Sequence, residues 1–208
     1  MGFTSFANTC IHLLLLYSFV VDQRLKIVRL NVAGTSMKIR SPEPDDQAAI
    51  AAFFEVLVAS GDSQTFHPHP FRASEASHIT KGFSPQGLPT NDIFCFGFIG
   101  REAVAYGMLR GWDEGFSEPS LGIAVHPNFR GQGLAGQMVR QLHELARMRE
   151  ATSIRLKVYR SNTVAIHFYK KLGYDLTEYD ESQWLGRLSL KACDVLEPTP
   201  PTLLREAG

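Results

Sequence analysis

The stretch Leu121-Gly122-Ile123-Ala124-Val125-His126-Pro127-Asn128-Phe129-Arg130-Gly131-Gln132-Gly133-Leu134-Ala135-Gly136 decides the fold. An apolar, strand-like segment, Leu121 to Val125, runs into a glycine-rich loop, and the loop opens a long amphipathic helix. From Gly133 to Arg149 the apolar Leu134, Met138, Leu142 and Leu145 form one helical stripe, with Arg140, Glu144, Arg147 and Arg149 left mostly to solvent. A glycine-rich turn at a helix start is a place to bind phosphate. The N–H groups of the first turn have no intrahelical acceptor, the helix dipole is positive there, and glycines let an anion approach closely.

Two common glycine-rich loops do not match. A nucleotide P-loop needs Lys followed by Ser or Thr after its last glycine, which is missing here. Gly131, Gly133 and Gly136 do spell the dinucleotide pattern G-x-G-x-x-G. About 20 residues further on, however, where that motif needs an acid at the end of a second strand, Glu150 to Thr152 offers one acid in a helix-exit turn. A second segment then follows the strand-like Ile154 to Val158: Asn162-Thr163-Val164-Ala165-Ile166-His167-Phe168-Tyr169-Lys170-Lys171-Leu172-Gly173-Tyr174. Together these segments resemble the GNAT superfamily of acyl-CoA-dependent N-acetyltransferases. The family's Arg/Gln-x-x-Gly-x-Gly/Ala loop matches Arg130, Gly133 and Ala135. Its later signature matches Asn162, Ala165, Phe168-Tyr169 and Gly173-Tyr174.

The resemblance implies a single α/β (α+β) domain: a mixed, twisted sheet of six to seven strands, helices on both faces, and a splayed central strand pair. Acetyl-CoA is the implied co-substrate, with no metal. The backbone N–H groups of Gly131, Gln132, Gly133, Leu134, Ala135 and Gly136 are expected on its pyrophosphate, and the edge of Ile123, Ala124 and Val125 on its pantetheine arm, as an added strand. The Val125 N–H is expected to polarise the thioester carbonyl, an interaction worth ~3 kcal/mol per donor. Asn162 and Tyr169 lie two helical turns apart and can address one ligand. By resemblance Asn162 contacts the cofactor arm and Tyr169 protonates the departing thiolate, while the plain alternative for Tyr169 is an aromatic of the core. A thiol with a free pKa near ~8.5 is already a fair leaving group, so losing Tyr169 should slow the reaction without abolishing it.

An attacking amine must also lose a proton. Glu118, at the entrance to the central strand, is the first candidate base, and an exposed flanking charge is the alternative. In protein N-terminal acetylating members a Glu stands five residues before the Asn, where this chain has Lys157, which weakens that reading. His126, before Pro127-Asn128, reads as a turn residue rather than a base. His67 and His69, in His67-Pro68-His69-Pro70-Phe71, and Arg110 and Trp112, with Asp113 and Glu114, are acceptor-side candidates. The two histidines have no third partner that would make a zinc site.

Around this core, helices are expected over Ala48 to Val58, with Gly61 as the stop, and from about Ser74. Ile93 to Ile99 and Ala103 to Leu109 read as a hairpin across Gly100-Arg101-Glu102. Residues 37–191 form the expected domain, with a Pro-rich tail over 192–208. Residues 1–36 are read as an extension, either upstream of a true start at Met37 or an accessory helix. The apolar run Ile11 to Val21 is short of the roughly 20 residues of a membrane span, and no positive charge precedes it as in a secretory signal. The 208 residues are 44% hydrophobic with a formal net charge of zero, enough for one core and without a field that attracts nucleic acid. Cys10, Cys95 and Cys193 are widely spaced, which excludes a disulfide framework and points to a reducing cytoplasm. The expected acceptor is a primary amine of a small molecule, and a homodimer is left open. The alternatives are a non-catalytic acyl-CoA sensor or scaffold, and a protein N-acetyltransferase.

Overall fold

The computed structural model describes residues 28–32 and 35–190. The apolar run Ile11 to Val21, Cys10, Cys193 and the Pro-rich tail lie outside them. The strands are β1 (Val28–Val32), β2 (Thr35–Arg40), β3 (Ile93–Ile99), β4 (Glu102–Arg110), β5 (Ser120–Val125), β6 (Ser153–Tyr159), β7 (Asp175–Glu178) and β8 (Gln183–Ser189). The helices are α1 (Gln47–Ala59), α2 (Ala73–Thr80), α3 (Leu134–Met148) and α4 (Thr163–Lys171). One sheet holds all the strands in the order β1-β2-β3-β4-β5-β6-β8-β7, antiparallel except for β5 against β6. The seven expected strands are present, and β1, inside the segment read as an extension, adds another by pairing with β2.

The period-two and period-3.6 patterns sort side chains onto the two faces. Ile50, Phe53, Phe54 and Leu57 of α1, with Ile79 of α2, pack on Phe94, Phe96, Phe98, Tyr106 and Met108. Leu134, Met138, Leu142 and Leu145 of α3, with Tyr169 of α4, pack on Met37, Ile39, Cys95, Ala105, Leu109, Ile154 and Leu156. Helices therefore cover both faces: α1 and α2 on one, which we call the front, and α3 and α4 on the other. Helix α1 is preceded by a 3-10 turn, Pro44–Asp46, with a capping box between Glu43 and Asp46. The Asp46 carboxylate also holds Arg40 at 2.5 Å. Asn162 caps α4, its side-chain oxygen accepting from the Ala165 N–H.

The central strand is bonded unequally. Ala105 to Arg110 of β4 pair with Val125 to Ser120 without a break, whereas on the other side only Ser120 pairs with Arg155 of β6, supported by the Arg155 N–H donating to Pro119 O at 3.0 Å. Beyond that point β5 and β6 part, leaving a fork that opens at their C-terminal ends. The phosphate-loop candidate follows β5 and Asn162 follows β6, so both stand at its mouth.

Candidate active site

Hydrogen-bond parity shows which backbone groups face the fork. The His126 N–H donates to Val104 O at 2.9 Å, around the Ala105–Val125 pair. That makes Ala105–Val125 a non-hydrogen-bonded pair, in which each residue turns its own N–H and C=O away from the partner strand. Val125 and, two residues back, Ile123 thus direct N–H and C=O into the fork, while Ala124 pairs with Tyr106. This corrects one expectation: Ala124 is committed to the β4 ladder, and Ile123 and Val125 provide the free edge. The Val125 carbonyl accepts from Arg130 Nε at 3.1 Å, and the same guanidinium binds Asp62 at 2.5 Å, tying the loop to the end of α1.

The loop itself suits a pyrophosphate. Gly131 and Gly133 adopt φ of 74° and 78°, where glycine is favoured, and a Cβ added at either would meet nothing within 4 Å. The first backbone bond of α3 runs from the Gln137 N–H to Gly133 O. The N–H groups of residues 131–136 are left without a backbone acceptor, and no side chain caps the helix. A dianion is the natural partner for such a set.

Tyr169 is 7% exposed and packs edge-on to Tyr174 and beside Phe168. Burial pushes its hydroxyl well above the ordinary value, and that hydroxyl is not among the sealed, unpartnered atoms. The ring is therefore part of the core, and its hydroxyl is not sealed within it. The Asn162 oxygen is spent on capping, so its remaining offer to a ligand is the side-chain NH₂.

Several acceptor-side expectations need correction. Glu118 lies before β5, at the closed end of the fork, where Arg187 of β8 reaches it at 3.4 Å. It is in a bend two positions before β5, and from Ser120 to Val125 the strand alone advances five steps, ~17 Å at ~3.3 Å each, which puts it far from an amine attacking at Val125. His69 is buried with both ring nitrogens engaged, Nε2 with the Tyr106 hydroxyl at 2.9 Å and Nδ1 with Pro70 O at 2.8 Å. Burial holds its pKa below the usual value, and it serves the aromatic cluster under the loop rather than a ligand. Arg110 and Trp112 are also at the closed end. Arg110 donates to Pro68 O at 2.8 Å and fixes the loop that carries His67. Trp112 packs against the core beneath the Arg149 guanidinium. An open depression of about 360 Å³ beside Arg110, lined also by Asp92, Asp113 and Glu114, lies at this end and away from the fork.

His67 does reach the fork. Its Nε2 stands 3.5 Å from the hydroxyl of Tyr159, the last residue of β6. With Ser120 level with Arg155, Tyr159 is level with Ala124. Neighbouring Phe66 packs on Phe71 and Tyr106 and would touch any Cβ at Gly122. The loop after α1 thus spans from β5 to β6 across the front. His126 has the turn role expected of it, with Nδ1 accepting from the Asn128 N–H. Two residues escaped the sequence reading: Tyr159, signalled by alternation along β6, and His143, buried in α3 and bonded to the Tyr174 hydroxyl at 2.9 Å. Among the described residues no group of three His, Cys, Asp or Glu side chains could hold a metal, and no helix is long and apolar enough to cross a membrane.

Comparison with known proteins agrees with this geometry. Residues 60–174, more than half of the chain, match the family described as "Acetyltransferase (GNAT) family". An acetyltransferase of Pectobacterium atrosepticum is 30% identical over 87 residues, and one of Sodalis glossinidius 29%. Each match covers 42% of this chain and 60% of the relative. The backbone is similar to the GNAT domain of S. lividans PAT, with TM-score 0.65 and 16% identity over 78% of this chain and 96% of that one. It is also similar to PaiA N-acetyltransferase from Thermoplasma acidophilum in complex with coenzyme A, with TM-score 0.57 and 15% identity over 74% of this chain and 99% of that one. A third similar structure is the acetyl-CoA-bound putative acetyltransferase YncA from Salmonella typhimurium, with TM-score 0.59 and 17% identity over 79% and 98%. With the split strand pair, the open glycine loop and the family match in agreement, the chain belongs to the acetyltransferase (GNAT) family.

Proposed function

We propose that the chain transfers an acetyl group from acetyl-CoA to the primary amine of a small molecule, by direct attack in a ternary complex. The observation that carries this reading is the free backbone edge of Ile123 and Val125 facing the fork, in line with the unpaired N–H groups of residues 131–136. In this reading the loop holds the pyrophosphate, Ile123 bonds the pantetheine arm, the Asn162 amide donates to that arm, and Val125, its carbonyl held by Arg130, uses its N–H to polarise the thioester carbonyl. The acceptor comes from the front, under the Phe66 to Phe71 loop. His67 takes the amine's proton, the nitrogen bonds to the carbonyl carbon, and the carbon–sulfur bond breaks. Because burial raises the Tyr169 hydroxyl while a thiol sits near ~8.5, Tyr169 acts chiefly as a hydrogen-bond donor to the departing sulfur. Glu118 keeps Arg187 in place. The reducing cytoplasm suits the buried free thiol of Cys95.

The test is release of free CoA from acetyl-CoA across amino sugars, amino acids, polyamines and peptides, with wild type beside His67→Ala and Tyr169→Phe. Acceptor-dependent release that is weakened in both variants is expected. Tight acetyl-CoA binding with no release for any amine would overturn the reading in favour of an acyl-CoA sensor.

A further inference from the structure

One acidic side chain joins the two loops at the mouth of the fork. Helix α1 is capped at Ser60, and Gly61, at φ 78°, leads into a 3-10 turn at Asp62–Gln64. The Asp62 carbonyl accepts the N–H groups of Thr65 at 3.1 Å and Phe66 at 2.9 Å, and so anchors the loop that carries His67. One oxygen of its carboxylate, Oδ2, accepts both the Ser60 hydroxyl and Arg130 Nη2, the latter at 2.5 Å. Arg130 stands 68 residues further along the chain, immediately before Gly131, and its Nε donates to the Val125 carbonyl at 3.1 Å. One rigid, planar guanidinium therefore spans the central strand and the end of α1. The pair is open to solvent, with side-chain exposures of 49% for Arg130 and 24% for Asp62. A pair so placed adds little stability, and its effect is on where Arg130 sits.

Two acceptors compete for Arg130. One is the Val125 carbonyl, and the other is the cofactor's phosphates, on N–H groups that begin at the very next residue. An arginine bonds a phosphate more strongly than a neutral carbonyl. Asp62 weighs against that move, because its charge attracts the guanidinium at the place where it already touches Val125. We propose that Asp62 is a positioning residue for acetyl transfer: it keeps Arg130 on the Val125 carbonyl and off the phosphates, and it ties the acceptor loop to that same point. This inference rests on the acetyl-transfer reading above. With its carbonyl capped, Val125 presents only its N–H to the fork. An uncapped carbonyl beside that N–H would repel the oxygen that becomes negative in the transition state. The Phe66-His67 segment, bonded to the Asp62 backbone, is then held at a constant spacing from the same N–H.

Steady-state kinetics with the best amine of the panel compares wild type with Asp62→Ala, Arg130→Gln and the double variant, beside Glu55→Gln, which removes an exposed acid from α1. Asp62→Ala is expected to lower kcat about ten-fold while the KM for acetyl-CoA stays level or falls, since Arg130 is released to the phosphates and a nearby negative charge is gone. The melting temperature of Asp62→Ala and the kinetics of Glu55→Gln stay at wild-type values. The double variant loses no more kcat than Arg130→Gln alone, because Asp62 acts through that residue. An unchanged kcat, a KM for acetyl-CoA that rises as kcat falls, or losses that multiply in the double variant would overturn the inference and leave acetyl transfer standing. If wild type acetylates no amine, the acetyl-transfer reading fails, and amide hydrogen exchange judges the link by itself. Acetyl-CoA that slows the Thr65 and Phe66 amides in wild type but not in Asp62→Ala supports it, and equal slowing in both, or none in either, overturns it.

Discussion

The two long edges of β5 differ. Toward β4 every residue from Ser120 to Val125 has a partner, and toward β6 the pairing stops after Ser120. The same apolar residues line both edges, so composition does not cause the difference; the divergence of β6 does. A backbone N–H left without a partner costs free energy unless something binds it, and a ligand that can act as a strand recovers that cost. The closed edge supplies rigidity, and in the proposed function the open edge supplies recognition.

Proline scanning along β5 separates the edges most sharply. Val125→Pro removes only a fork-facing donor and should lower kcat by roughly 10²-fold or more with little loss of stability, as read by steady-state kinetics beside thermal melting. Ala124→Pro, one residue earlier, removes a donor to β4 and should instead destabilise the fold by about 3 kcal/mol in chemical denaturation. Equal behaviour of the two variants would break the comparison. Gly133→Val tests the loop at the fork's mouth. A β-branched residue at φ 78° is strained, so the KM for acetyl-CoA should rise roughly ten-fold or more with a smaller change in kcat. Tyr169→Phe keeps the packed ring and removes the hydroxyl, so about a ten-fold loss in kcat and an unchanged melting temperature are expected.

A pH test lies away from β5, in α3, where His143 is buried. Burial, then the charge of Arg147, lowers the His143 pKa to about 4. Between an unfolded value near ~6.5 and that folded value, the unfolded chain binds the proton and the native one does not. Stability is therefore full above about pH 6.5 and falls as the pH drops toward 4. Denaturant titrations at the two ends of that window should differ less in His143→Gln than in wild type.

Local pattern carried most of this fold. The stripe Leu134, Met138, Leu142 and Leu145 marked α3, alternation marked β6, and the position of Asn162 marked the start of α4, each within a residue or two of the observed bounds. The turn between β5 and α3 was legible from its glycines, and Gly131 and Gly133 do adopt positive φ. What local pattern could not show depends on partners distant in sequence. The exemption of Ala124 from the fork follows from its register with Tyr106. His69 looks like a loop histidine until Tyr106, buried beneath it, takes its Nε2. Glu118 looked close to the chemistry because it precedes the right strand, yet the fork opens at the other end.

Amide hydrogen exchange along β5, with and without acetyl-CoA, tests the central claim most directly. The account predicts that the Ile123 and Val125 amides and those of residues 131–136 exchange readily in the free protein and slow together on binding, while the Ala124 amide is protected in both states. Acetyl-CoA binding that leaves Ile123 and Val125 unchanged, or that protects a different strand edge, would contradict it.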